Sequence, residues 1–256
     1  MSANGITLLT QHAMLVAWGE YAQSLGLVKK IAGVPLEQKE VAHSPQRKVL
    51  EFFVAILGGL PYLKDISRST HPLDQDRAVA KAWGQASWAD QSGVSRTLTA
   101  LTLEQAEQIV AVLREVSQPF IDREVLLALR DQGKLVYDGD LTGRPVSNSS
   151  TSYPNVAFGH MSDEIALGYQ AAMVSFHSPT FGRLWLSVQP HPGDKIACTA
   201  LGAMVHNAET QPWRRTDLLM QRLAQLQDEQ RALTAQVEQA RLGLAQAGAA
   251  QVQVDQ

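Results

Sequence analysis

The sequence predicts an α+β chain with a helical N-terminal half, a short β-rich stretch and a long C-terminal helix. Helical spacing of apolar residues runs as far as about Arg130, and strand candidates begin only at Leu135. Three such candidates then fall between Leu135 and Val188. From Leu219 to Leu244 apolar residues recur at alternating steps of four and three, the period of a helix that packs on another helix. The expected division is a helical domain over 1–134, a sheet domain over 135–211, and a heptad helix with a frayed tail over 212–256.

Each element has a local reason. Leu8, Leu9, His12, Leu15, Val16, Tyr21 and Leu25 give Thr7 to Leu27 a rough helical stripe, stopped near Gly26. Ser44 and Pro45 form a cap followed by proline at the first helical position, and Gly58-Gly59 ends that helix after Leu57. Its Leu50, Phe52, Phe53, Val54, Ile56 and Leu57 are dense enough to be core. A short helical piece is expected from Pro61 toward Ser67, a further helix from Leu73 to Gln85, and a long one from Leu103, capped by Thr102. Ser147 to Ser152 reads as a polar loop, continued by Tyr153-Pro154-Asn155. Ile196 to Glu209 is a helix candidate after His191-Pro192-Gly193-Asp194, with Asp194 as its expected cap.

The stretch richest in chemistry is Leu135-Val136-Tyr137-Asp138-Gly139-Asp140-Leu141-Thr142-Gly143-Arg144-Pro145. A strand from Leu135 to Leu141 places Asp138 and Asp140 on one side, because strand side chains alternate. Two carboxylates at the end of a buried strand need compensation by a cation or by hydrogen-bond donors. Hard carboxylate oxygens suit Mg²⁺. The bland alternative is a turn, since Asp-Gly is a common turn pair. Thr142 either orients the carboxylate or satisfies that turn.

Downstream, Gly168-Tyr169-Gln170-Ala171-Ala172-Met173-Val174-Ser175-Phe176 forms a second strand candidate and Arg183 to Val188 a third, joined as a hairpin by Ser178-Pro179-Thr180-Phe181-Gly182. The order Asp-Leu-Thr-Gly, polar loop, Gly-Tyr-Gln strand, hairpin strand and His-Pro-Gly-Asp resembles the DDE transposases of bacterial insertion sequences. Within these it is similar to the group whose ribonuclease H-like catalytic domain carries a helical insertion. The resemblance is most specific from Leu135 to Asp194. It implies a partial ribonuclease H-like α/β domain in which Asp140 is the first catalytic, metal-binding carboxylate and Asp138 the reserve. It implies Mg²⁺-dependent cleavage and transfer of strands at transposon ends, with two ions activating a water or 3′-hydroxyl. The family uses three carboxylates, on the first strand, on a strand after the insertion and on a later helix. Residues 212–256 correspond to the start of the insertion, so the expectation is a C-terminally truncated transposase, inactive alone. Asp255 only superficially mimics the second acid, because two terminal residues cannot hold a strand in a sheet.

Composition narrows the function classes. At 256 residues, with 45% hydrophobic and 18% charged side chains, the chain is long and apolar enough for a real core. A formal charge of −3 excludes a generally basic nucleic-acid coat, but local patches set phosphate contact. The basic pairs are Lys29-Lys30, Arg47-Lys48 and Arg214-Arg215. The single cysteine, Cys198, rules out an internal disulfide and a cysteine-cluster zinc site. No leader or membrane-spanning run is evident, so a cytoplasmic protein is expected.

DNA contact is expected at Ala89 to Leu98, which resembles the turn and recognition-helix start of a helix-turn-helix, with Arg96 and Ser95 as the contacts. A helix merely capped by Ser92 would look the same. His160, His177 and His191 lack ligand spacing and read as loop or surface residues, and Trp83, Trp88 and Trp185 as core or interface aromatics. The rival functional readings are a non-catalytic DNA-binding fragment derived from a transposase, and a homo-oligomer built through the 219–244 heptad helix.

Overall fold

A computed structural model describes residues 9–38, 42–147, 153–161, 163–213 and 216–254. The fold is mixed α+β, with nine α-helices and one four-stranded antiparallel sheet among the described residues. The chain divides into two compact units, Met1–Ser117 and Gln118–Gln256.

The first unit is helical: α1 (Ala13–Ser24), α2 (Leu27–Ala32), α3 (Pro45–Leu57), α4 (Asp65–Arg68), α5 (Arg77–Ala82), α6 (Gln91–Thr99) and the start of α7 (Leu103–Gln132). Gly26, at φ 73°, turns α1 into α2 in the left-handed region that glycine tolerates. Ser44 caps α3 by accepting the Arg47 N–H at 3.3 Å, with Pro45 at the first position. Thr102 and Gln105 form a reciprocal capping box at the start of α7, with bonds of 3.2 and 3.1 Å.

Two local expectations change. Leu73 to Gln85 is not one helix: a 3₁₀ turn over Leu73–Gln75 ends at Asp76, whose carboxylate accepts the Val79 N–H at 3.0 Å and starts α5 afresh. The cap of α6 is Asp90 rather than Ser92. Asp90 accepts the Gly93 N–H at 2.6 Å, and the Ser92 hydroxyl donates to the same oxygen at 2.7 Å.

The core of this unit gathers on Trp83, which is fully buried. Its indole N–H donates to the Leu15 carbonyl at 2.8 Å, and its ring meets Phe53 edge-on at 6.1 Å. Gly19 on α1 makes this approach possible, since a Cβ there would lie 2.7 Å from the Trp83 ring. Leu50, Val54, Ile66, Leu73, Val79 and Val94 complete the cluster.

The second unit contains the rest of α7, the strands β1 (Tyr137–Pro145), β2 (Ala157–Met161), β3 (Glu164–Ser178) and β4 (Gly182–Pro192), then α8 (Ala197–Trp213) and α9 (Thr216–Val254). The long β3 pairs antiparallel with each of the other three strands. Ala172, Val174 and Phe176 on one face of β3 pack with Leu186, with Ile121, Val125 and Ala128 of α7, and with Ala200, Met204 and Ala208 of α8.

Several expectations for the strands change too. β1 does not stop at Gly143-Arg144-Pro145 but runs through them. A Cβ on Gly143 would lie 2.8 Å from the Met161 backbone, so this glycine admits a close neighbour rather than a break. A further strand, β2, follows the polar loop, which itself lies largely outside the described residues. β4 extends through His191 to Pro192, and α8 begins at Ala197, so Asp194 stands in the turn ahead of the helix and is not its cap. α9 stays helical through Gly248 to Val254 instead of fraying, and Asp255 lies outside the described residues.

Among the described residues each unit holds one fully buried glutamate, and the two respond oppositely to pH. In the first unit Glu51 accepts only the Ala89 N–H, at 2.8 Å, and burial pushes its carboxyl up to about 8. Its stabilising contribution is complete below the ordinary 4.5 and is lost as pH rises toward 8, because the unfolded chain ionises first. In the second unit burial alone would raise Glu124. Hydrogen bonds from the Ser178 hydroxyl at 2.6 Å and the Thr180 N–H at 3.0 Å instead hold it below the ordinary range. Its contribution is present above the ordinary 4.5 and is lost as pH falls through the lower folded value.

Calorimetric unfolding is expected to show the first unit weakening between mildly acidic pH and pH 8, with Glu51→Gln flattening that slope. Glu124→Ala is expected to cost the second unit about 1–3 kcal/mol at neutral pH, by leaving the Ser178 and Thr180 donors unpaired.

Candidate functional site

Asp138 and Asp140 do share a face, but toward the start of β1 rather than at its far end. They sit opposite Ser175 and Met173 of β3. The side chains beside them come from β3 and β4, where His177 pairs with Arg183 and Ser175 with Trp185. This is the face of the sheet turned away from the Val174–Phe176 core. Trp185 is 52% exposed on it and Val188 57%, so Trp185 is not a core residue, whereas Trp83 and Trp88 are.

The two aspartates differ in what surrounds them. Arg183 Nη2 lies 2.8 Å and His177 Nε2 2.9 Å from the same Oδ2 of Asp138. The His177 hydrogen bond foremost, with the Arg183 charge behind it, holds the Asp138 carboxyl below the ordinary carboxylate range. Asp140 is exposed, and its Oδ1 accepts the N–H of its own neighbour, Leu141, at 2.8 Å. Spacing in the sequence gives no sign of this difference, and His177, read as a surface residue, is a partner of the site.

A divalent cation would therefore meet one carboxylate already held by two basic side chains and one open to solvent. Among the described residues no three His, Cys, Asp or Glu side chains converge as a metal-binding group. Mg²⁺ commonly takes one or two protein carboxylates plus substrate phosphate. Asp140 alone does not make the two-ion site that the resemblance implies, so no catalytic step is derived through metal here.

In the first unit the tertiary structure assembles a second candidate. Arg96 and Thr97 of α6, Lys48 of α3, His43 and Asp90 line a groove of about 580 Å³. The sequence reading placed Arg96 and Ser95 together; the structure instead puts Arg96 beside Lys48, 48 positions earlier, while Ser95 is half-buried on α6 and is not among the residues lining the groove. Hydrogen bonds from Ser92 and then Gly93 hold Asp90 below its ordinary range, and its carboxylate is engaged as the helix cap. Burial first, and then the charges of Arg47 and Lys48, push His43 below its ordinary 6.5, with Asp90 opposing. The groove thus carries the basic side chains Lys48 and Arg96 on two elements, with the Asp90 carboxylate engaged as a cap. Among the described residues no helix is long and apolar enough to cross a membrane.

Carboxyl-carbon NMR titration is expected to find Asp138 below the ordinary carboxylate range, with His177→Ala and Arg183→Ala each moving it up toward that range. An Asp138 titration unmoved by either change would show that the ion-pair geometry is wrong.

Protein-family models, curated proteins and solved structures were each compared with the chain, and none matches it.

Proposed function

We propose that this chain is a transposase-like protein of DNA transposition whose own contribution is to bind DNA, through the helical unit. The carrying observation is the groove that Lys48 and Arg96 both line from separate helices, α3 and α6. Two cations on packed helices provide the phosphate contacts that position a protein on a duplex. The sheet supports the transposase character of the reading. β1, β3 and β4 lie side by side as antiparallel strands ahead of α8, as the resemblance implies, with β2 an addition to that order, and Asp140 is the solvent-open acid on the first strand.

Under this reading Asp140 is the metal carboxylate and Asp138 a structural one. The chemistry that the resemblance implies uses three carboxylates, and among the described residues no group of three gathers at Asp140. The activity proposed for this chain is DNA binding.

Fluorescence anisotropy with mixed-sequence duplex DNA, read across rising salt, tests this. Binding is expected to weaken steeply with salt. The Lys48→Ala, Arg96→Ala pair is expected to weaken it uniformly across sequences and to reduce the log–log salt slope by about 2, roughly one per lost phosphate contact. Asp140→Ala is expected to leave binding unchanged. No binding by the natural chain, or full binding by the double variant, would overturn the proposal.

A further inference from the structure

We propose that α9 pairs with α9 of a second copy of this chain as a parallel, in-register, two-stranded coiled coil. The inference is independent of the DNA reading. α9 has 39 residues, a rod of about 58 Å at 1.5 Å per residue. The element packed against it is α8, yet Leu226, Leu233 and Val237 remain 44%, 62% and 56% exposed. A helix of this length takes most of its stability from burying an apolar stripe, and here the stripe from Leu226 to Ala240 is uncovered.

The stripe itself names its occupant. Leu223, Leu226, Gln230, Leu233, Val237 and Ala240 alternate by three and four, so Leu223, Gln230 and Val237 take one core position of the heptad and Leu226, Leu233 and Ala240 the other. That period matches a partner helix with the same seam. The ion pairs of α9, Asp228 with Arg231 at 3.3 Å and Glu238 with Arg241 at 4.0 Å, hold their charges off the six seam positions.

Gln230 decides the direction. It is the single polar residue of this seam, and such a residue specifies register at some cost in stability. In a parallel pair in register, Gln230 meets Gln230 of the second copy, where the two amides can satisfy each other. In an antiparallel pair with the seams fully overlapped, each Gln230 faces Leu233 of the second copy and its amide is left among apolar side chains.

Sedimentation equilibrium on the full chain, from low to high micromolar concentration, is expected to give twice the 27.9 kDa chain mass. The Leu226→Lys, Leu233→Lys pair is expected to give a monomer, with the calorimetric transitions of the helical unit and the sheet unchanged. Gln230→Cys in a Cys198→Ser background is expected to cross-link to itself on oxidation, because parallel register brings the two positions within disulfide reach. A natural chain that stays monomeric, or a lysine variant that stays dimeric, overturns the pairing. A dimer whose Gln230→Cys form does not cross-link overturns the parallel register.

Discussion

A single buried carboxylate governs the arrangement of the sheet unit. Glu124 on α7 receives the Ser178 hydroxyl and the Thr180 N–H on one oxygen, and the same Ser178 oxygen accepts the Phe181 N–H at 2.9 Å. The turn between β3 and β4 is thereby fastened to a helix that also supplies Ile121, Val125 and Ala128 to the core. Fastening the turn fixes the pairing of His177 with Arg183 just beyond it. Since a slip of one residue would move every side chain to the opposite face, that turn also decides what stands beside β1. The two basic groups that hold Asp138, and so distinguish it from Asp140, are placed by it.

A buried charge survives only where hydrogen bonds replace water, and the two glutamates show both outcomes. Glu124 has two good donors and remains ionised; Glu51 has one, from Ala89, and favours the neutral form near pH 7. Ala89, whose N–H donates to Glu51, also lines the groove that carries Lys48 and Arg96.

Much of the fold was legible because it rests on local chemistry. The Ser44-Pro45 start of α3, the Thr102 capping box of α7, the Ser178 to Gly182 turn and the heptad of α9 each act within a few residues of their own position. The misreadings came where a local signal serves a distant contact. The first strand was expected to end at Leu141, yet it runs on through Gly143, whose missing side chain makes room for Met161 of β2. Ser92 looked like a cap, yet it supports Asp90, two positions earlier. Leu73 to Gln85 looked continuous, yet Asp76 interrupts it with a cap of its own.

The candidate sites divide along the same line. By itself the sequence determined that Asp138 and Asp140 share a face, because strand alternation is a property of the backbone, and that Arg96 lies on a helix opened by a polar turn. Only the tertiary structure decided that Arg183 reaches across β3 to Asp138, that His177 joins it, and that Lys48 stands beside Arg96. These pairings link residues 39 to 48 positions apart, and cross-strand register and helix packing, rather than spacing along the chain, set which charges meet.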